Sequence, residues 1–377
     1  MRKSYSAIFV ANRGFALVNS RMLLMKHFVS NGWRVYAAIG IDEFAEKIEE
    51  EGIKIIETTF ARRVLTPVVD WKAFRSLRGA YSEINPALVH HFNVKPIILG
   101  TCAAMGLEAT KVINTVTGLG RMFDSGIVNR AIASAALKYI KKRSNMTIFQ
   151  NQDDHALLLG KKLIEPGKCS IIVSSGVDTK RFKPIRKERN KAGKQKVLMV
   201  SRLLWHKGIR EYIEAAEICG KLIPRVRFQL AGEEDAAHPS AVDLAWIKSQ
   251  EEKGIIEYLG FIKNLGGILP SISLFVLPSY YGEGVPRVGL EAAACGIPVI
   301  TTDAPGCREL VADGETGLLV QPRDKEKLAA AMMKILPNRD LQNRMGDAGR
   351  ALAEREFDLE IITNRYLDVY RSLGLEV

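Results

Sequence analysis

The sequence predicts an α/β fold of two doubly wound, parallel-sheet domains, and three observations predict it. In both halves, short apolar runs alternate with longer stretches of helical period, the pattern of stacked βαβ units. A segment without any apolar residue larger than alanine, Arg186 to Lys196, separates the two series. The length, 377 residues with 47% hydrophobic, suffices to bury two cores of about 150 to 200 residues each.

In chain order, the first series of strands reads Ala7–Val10, Arg34–Ile39, Lys54–Ile56, Ala87–His90, Lys111–Ile113, Met146–Phe149 and Ser170–Val173, with helices in the gaps. The second reads Val197–Ser201, Arg227–Gly232, Ile256–Leu259, Leu274–Pro278 and Pro298–Thr302, and a helix from about Asp358 to Leu373 closes the chain. The expected domains are therefore residues 1–185 and 197–357, joined by the linker 186–196. Doubly wound sheets take their ligands at the carboxyl ends of the strands, so chemistry is sought in the turns just after strands, in a cleft between the two domains.

Five cysteines, Cys102, Cys169, Cys219, Cys295 and Cys307, show neither C-x-x-C spacing nor clustering with histidine, which argues against zinc and fits a reducing compartment. The first strand starts at Ser6, too early for a secretory leader, and no apolar run reaches the roughly 18 residues of a spanning helix. A cytoplasmic protein is expected. The formal charge of +12 is uneven: residues 1–185 hold about 27 Lys/Arg against 15 Asp/Glu, and the remainder about 27 against 27. No nucleic-acid-binding pattern accompanies these cations, which are spread over alternating helices.

The densest candidate site is Glu283-Gly-Val-Pro-Arg-Val-Gly-Leu-Glu291, after the strand ending at Pro278. Gly284 and Pro286 mark a loop entering a helix, so free N–H groups near Val285, Arg287 and Val288 suit a diphosphate. Glu291, two helical turns after Glu283, suits vicinal ribose hydroxyls. A second site is Ser201-Arg-Leu-Leu-Trp-His-Lys-Gly208, where Arg202 and Lys207 leave one strand end together and two cations can neutralise a departing diphosphate. No Asp-x-Asp follows an apolar strand, and Asp153-Asp154 reads as a helix start, so no metal cofactor is expected.

Glu-x7-Glu within EGVPRVGLEAAACGIPVITTDAPGCREL, with the Arg202/Lys207 turn, resembles the donor signature of family-four retaining glycosyltransferases over about 40 residues. The resemblance implies the GT-B fold, two Rossmann-like domains facing each other across a cleft, with the closing helix 358–377 returned to the N-terminal domain. It implies that Arg202 and Lys207 stand in for a metal, that Glu283 orients the donor sugar, and that Gly232, Phe261 and Ile262 lie beside the nucleotide. Gly14, after the first strand, would approach the transferred sugar or phosphate, although Arg13-Gly14 departs from the family's Gly-Gly pair.

Arg21 and the turn Thr115-Val-Thr-Gly-Leu-Gly120 resemble a narrower group, bacterial enzymes that add N-acetylgalactosamine to undecaprenyl-diphosphate-linked sugars. Arg21, Thr117, Gly118 and Gly120 are then acceptor contacts. Many members carry a histidine at the position of Thr117-Gly118, and His91 is its substitute here. The donor implied is a UDP-sugar, with GDP-sugar transfer, epimerisation or phosphorolysis as alternatives on the same fold. A polyprenyl-diphosphate acceptor places the protein peripherally at the cytoplasmic face of the inner membrane. Between Phe60 and Arg78, large apolar residues mix with five cations, as in an interfacial helix for an anionic surface. The other reading of that segment packs Trp71 and Phe74 inward.

Overall fold

The first strand, Ser6–Arg13 (β1), buries its first six residues completely, which a central strand of a parallel sheet covered on both faces requires. The computed structural model describes residues 5–60, 66–119, 137–185, 195–223, 225–236, 238–282 and 284–377, and they divide into two units. In the first, β1 pairs in parallel with Arg34–Gly40 (β2) and Leu88–Phe92 (β4), and Lys54–Glu57 (β3), Lys111–Val116 (β5), Met146–Phe149 (β6) and Cys169–Ile171 (β7) complete the order β3-β2-β1-β4-β5-β6-β7. All seven strands read from the sequence are present.

The alternation of β1 sorts the cores. Ala7 and Phe9 join one face with Leu24, Phe28, Tyr366 and Tyr370, while Ile8 and Val10 join the other with Leu77, Tyr81 and Val89. Helices of this unit include Gly14–Ser20 (α1), Met22–Ser30 (α2), Ala45–Glu49 (α3), Pro67–Ile84 (α4), Val94–Ala103 (α5) and Gln152–Gly160 (α6). α6 starts as read: Asn151 caps it by accepting from the Asp154 amide at 2.7 Å. On α4, Phe74 is partly buried against the core, but Trp71 is 59% exposed and does not pack inward.

The second unit orders Gln195–Val200 (β8), Val226–Ala231 (β9), Glu257–Tyr258 (β10), Leu274–Leu277 (β11), Val299–Thr302 (β12) and Gly317–Val320 (β13) as β10-β9-β8-β11-β12-β13. β13 was missed, because its four residues follow a turn with little apolar run before them. Its helices are Ile209–Leu222 (α7), Leu244–Glu252 (α8), Arg287–Ala294 (α9), Lys325–Ile335 (α10) and Arg339–Leu352 (α11).

The division between units corrects the expected boundaries. It falls after Ser175, not after residue 185, because residues 177–182 are tied to the second unit: Val177 bridges Asp358, and the Arg350 guanidinium donates to the carbonyls of Thr179 and Phe182. Gln195 and Lys196 belong to β8, in register with Val226 and Arg227, so they are not linker; residues 186–194 lie outside the described set. The closing helix Leu359–Ser372 (α12) belongs to the first unit, where Tyr366 and Tyr370 pack in the core.

Each sheet reverses its strand order once, between β1 and β4 and between β8 and β11. These are the switch points at which doubly wound sheets bind ligands.

Candidate active site

At the β8/β11 switch point, the turn after β8 is built around Gly208. Its φ is +80°, and a Cβ there would lie 2.1 Å from the Pro278 carbonyl oxygen, so only glycine lets this turn seat on the end of β11. The seat fixes the two residues before it. His206 stacks on Tyr281 at 4.2 Å between ring centroids and shares a 2.8 Å hydrogen bond between Nδ1 and the Ser240 hydroxyl, and the Tyr280 amide donates to the His206 carbonyl at 3.0 Å. Lys207 is buried, with Nζ 5.3 Å from the centre of the Tyr281 ring. A buried ammonium is thereby delivered to the loop that leads from β11 into α9.

That loop ends in a helix start suited to an anion. Pro286 is the N-cap, no side chain among the described residues caps the helix, and no acidic residue occupies its first turn. Gly284 and Val285 precede it, with Val285 buried. Glu283 lies outside the described residues. On α9, Glu291 is buried and ion-paired with Arg287, one turn earlier, at 3.0 Å. Burial raises the Glu291 pKa, opposed by the positive charges of Arg287 and Arg181; burial likewise lowers that of Arg287. The pairing was legible as an i,i+4 arginine–glutamate spacing, although the sequence reading gave Arg287 only its amide.

Arg202 starts beside Lys207 but diverges from it. Its side chain is half exposed and reaches Asp235, after β9, at 3.1 Å. The two cations therefore leave the same strand and face different loops, which corrects the expectation of a shared aim. An exposed pair of this kind holds by about 0–1 kcal/mol, so a multiply charged diphosphate can draw Arg202 away. Gly232 is demanded by the backbone itself: a Cβ there would sit 1.8 Å from the Ser201 carbonyl oxygen. Phe261, after β10, holds its ring 58% exposed, next to half-buried Ile262. A hollow of about 670 Å³ lined by Lys221, Arg227 and Lys253 lies at the amino end of β9, remote from this turn.

The β1/β4 switch point is different in kind. Gly14 opens α1, but the space beside it is filled: a Cβ would lie 2.5 Å from Asp42 Oδ1, and the Asp42 carboxylate accepts from the amides of Phe15 and Phe44 at 3.0 and 3.1 Å. A carboxylate of the chain's own stands where a sugar or phosphate was expected. Arg21 is also corrected. It is buried, its guanidinium 4.8 Å from the Phe92 ring and 4.7 Å from the Tyr366 ring, so it joins β4 to α12 and does not line the rim.

His91 is fully buried, with Nε2 bonded to the Tyr81 hydroxyl at 2.9 Å and Nδ1 to Asn114 Oδ1 at 2.7 Å, so both ring nitrogens are occupied and it is no acceptor contact. Burial pushes its pKa down to about 4, the Asn114 bond opposing and Arg143 adding to the fall. At the rim itself stand Thr117, whose hydroxyl accepts from Asn93 at 2.9 Å, and Gly118 at φ +117°. Behind them Asp154 accepts from the Leu119 amide at 3.1 Å. Gly120 lies outside the described residues. Asn93 and Asp42 were missed; both are single polar residues after a strand, without a motif to mark them.

Comparison with known proteins follows the two units. The profile of glycosyl transferases group 1 matches residues 181–352, and that of the glycosyl transferase 4-like family matches residues 9–151. The chain is 29% identical, over 96% of its length and 97% of the other, to the N,N'-diacetylbacillosaminyl-diphospho-undecaprenol alpha-1,3-N-acetylgalactosaminyltransferase of Campylobacter jejuni. It is 25% identical, over 82% of its length and 81% of the other, to the UDP-Gal:alpha-D-GlcNAc-diphosphoundecaprenol alpha-1,3-galactosyltransferase of Escherichia coli. Among solved structures, the sucrose-phosphate synthase of Thermosynechococcus elongatus matches with a TM-score of 0.80 at 21% identity, covering 98% of this chain and 99% of that one. HepE of Anabaena, solved with UDP and glucose, matches with a TM-score of 0.79 at 17% identity, covering 98% and 100%. With two Rossmann-like parallel-sheet units, a group 1 match on one and a 4-like match on the other, the chain belongs to the GT-B glycosyltransferases and is a hexosyltransferase.

Proposed function

We propose that the protein moves an N-acetylhexosamine from a UDP-sugar to a saccharide carried on a polyprenyl diphosphate, with retention at the anomeric carbon and without a metal ion. It works as a peripheral enzyme at the cytoplasmic face of the inner membrane, in the assembly of cell-surface glycans. The names of the Campylobacter and Escherichia relatives support the acceptor class, and the latter name and the UDP bound to HepE support the nucleotide. The observation that carries the reading is buried Lys207, delivered to the loop before the start of α9, which has no side-chain cap among the described residues.

In this mechanism the donor diphosphate lies on the backbone N–H groups of Val285, Arg287 and Val288, beside Gly284. The acceptor hydroxyl attacks the anomeric carbon on the face that the diphosphate leaves. The bond from that carbon to the phosphate oxygen breaks as the new glycosidic bond forms, and the acceptor proton passes to the departing phosphate. Lys207 neutralises the growing charge, and Arg202 joins it after release from Asp235. Lys207, with Arg202 once it is released, does the work assigned elsewhere to a divalent ion. Glu283 orients the donor sugar hydroxyls, and Glu291, held in place by Arg287, binds the ribose hydroxyls. Exposed Phe261 and its neighbour Ile262 flank the base.

Thermal-shift titration with UDP, GDP and their sugars tests the donor. UDP is expected to raise Tm and GDP to leave it unchanged, and transfer to a polyprenyl-diphosphate saccharide is expected to survive EDTA. A shift with GDP alone would move the reading to mannosyl or fucosyl transfer. Formation of an epimer or sugar phosphate from the nucleotide sugar alone would replace transfer by epimerisation or phosphorolysis.

A further inference from the structure

The helix α4 extends past the carboxyl end of β3. Its tenth residue, Ser76, donates to the carbonyl of Glu57, the last residue of β3, at 3.0 Å, so Ser76 is level with the carboxyl end of that strand. Residues 67–75 carry the helix about 13 Å further along its axis at 1.5 Å per residue, with Ala73 and Phe74 still packed against the core on the inner side. One side of this stretch is braced. Lys95, in the first turn of α5, bonds to Asp70 at 2.7 Å and to the Thr66 hydroxyl at 3.0 Å.

The other side is bare. Val68, Trp71, Lys72 and Arg75 follow the i, i+3, i+4, i+7 spacing of a single helical stripe, and all four are exposed, Val68 by 70% and Trp71 by 59%. Trp71 is the most exposed of the four tryptophans, and Phe74 stacks on it at 5.4 Å. Among the described residues, no carboxylate pairs with Lys72 or Arg75. The first unit, to which this helix belongs, carries about 26 Lys/Arg against 17 Asp/Glu, so most of the protein's excess positive charge accompanies the stripe.

We propose that this stretch is the membrane anchor of the protein: Val68 and Trp71 enter the headgroup boundary of an anionic bilayer while Lys72 and Arg75 pair with lipid phosphates. The inference rests on the lipid-linked acceptor proposed above, and it assigns that acceptor's membrane a particular surface. An indole with an apolar body and an N–H suits the boundary, and two cations on the same stripe suit its charge. A stripe that merely faced water would gain nothing from a large ring held exposed on a braced, two-turn stretch.

Vesicles of phosphatidylglycerol and phosphatidylcholine, free of any acceptor, test it by flotation and tryptophan emission. Wild type is expected to float with phosphatidylglycerol vesicles with a blue-shifted emission, and to be released by high salt. Trp71→Ser with Val68→Ser is expected to lose on the order of tenfold in partitioning and to lose the blue shift; Lys72→Gln with Arg75→Gln is expected to lose on the order of tenfold in partitioning. Transfer to a short-chain acceptor in detergent is expected to be unchanged in all of them, since the substituted side chains are solvent-facing. Failure of the wild type to float at low salt, or flotation of the variants like wild type, would overturn the proposal. Activity in detergent without flotation would sink the anchor and leave the transferase reading standing, whereas flotation without any transfer would do the reverse.

Discussion

The two switch points share a topology and differ in what their first turns hold. Between β8 and β11, a buried lysine reaches the approach to a helix start that, among the described residues, has no side-chain cap. Between β1 and β4, the Phe15 amide at the helix start already donates to the Asp42 carboxylate, as does that of Phe44, and the basic and imidazole side chains nearby are locked into the core. One turn is prepared for an anion from outside and the other has supplied its own. The two turns thus differ in whether a carboxylate of the chain itself already occupies the amides at the strand end.

The largest expected effect concerns the core side of that contrast. His91 has a folded pKa of about 4 against an ordinary 6.5 because burial disfavours its charged form. Between those values the unfolded chain binds more protons than the folded one, so stability is full above pH 6.5 and falls as pH drops toward 4, by about 3 kcal/mol. Burial lowers His90 in the same direction. Denaturant melts from pH 7 to 4 are expected to show this slope, and His91→Gln to flatten it. An unchanged slope in the variant would mean that His91 is reachable by solvent and would return it to the rim.

On the open side, Lys207→Ala is expected to lower kcat/KM by about 100-fold, or about 2.7 kcal/mol, while the circular dichroism spectrum stays that of wild type. Steady-state transfer assays decide it. Turnover near wild type would make Lys207 a packing residue for Tyr281 and erase the difference between the two turns.

The fold and the second site were legible for one reason and the first site illegible for another. Strands such as β1 and β11 are buried on both faces, so their apolar runs stand out without any partner. The second unit's candidate site was read from two short segments, 201–208 and 283–291, in each of which glycines, prolines or charges have fixed local offsets. In the first unit, Arg21 and His91 were chosen by residue type, and type alone does not say whether a side chain faces the rim or the core. The rings of Phe92 and Tyr366 that enclose Arg21 come from 71 and 345 residues away in the chain, beyond any local pattern. Asp42 was invisible for the same reason: its partners Gly14 and Phe15 belong to a different strand's turn.

A smaller effect is expected from Asp42→Ala. Two amides lose their acceptor, at about 1 kcal/mol for a capping carboxylate in a half-exposed setting, and KM for the acceptor should stay within twofold. Chemical denaturation and acceptor titration separate the two quantities. A large rise in KM with unchanged stability would show that the carboxylate holds the acceptor saccharide and does not serve mainly as a cap.

The smallest effect discriminates most finely, because it tests whether the second turn is open by arrangement or by release. Arg202 is held by Asp235 at 3.1 Å in an exposed pair, and such pairs are worth about 0–1 kcal/mol. If the pair parks Arg202 away from the diphosphate, Asp235→Ala removes a competitor and is expected to lower the donor KM by about threefold, with kcat unchanged. If instead the pair aims Arg202 at the diphosphate, the same substitution raises KM and lowers kcat together. Initial-rate measurements at varied donor concentration distinguish the two, and raising the salt concentration should shrink the wild-type difference in the first case, since screening weakens an exposed pair before it reaches a buried lysine.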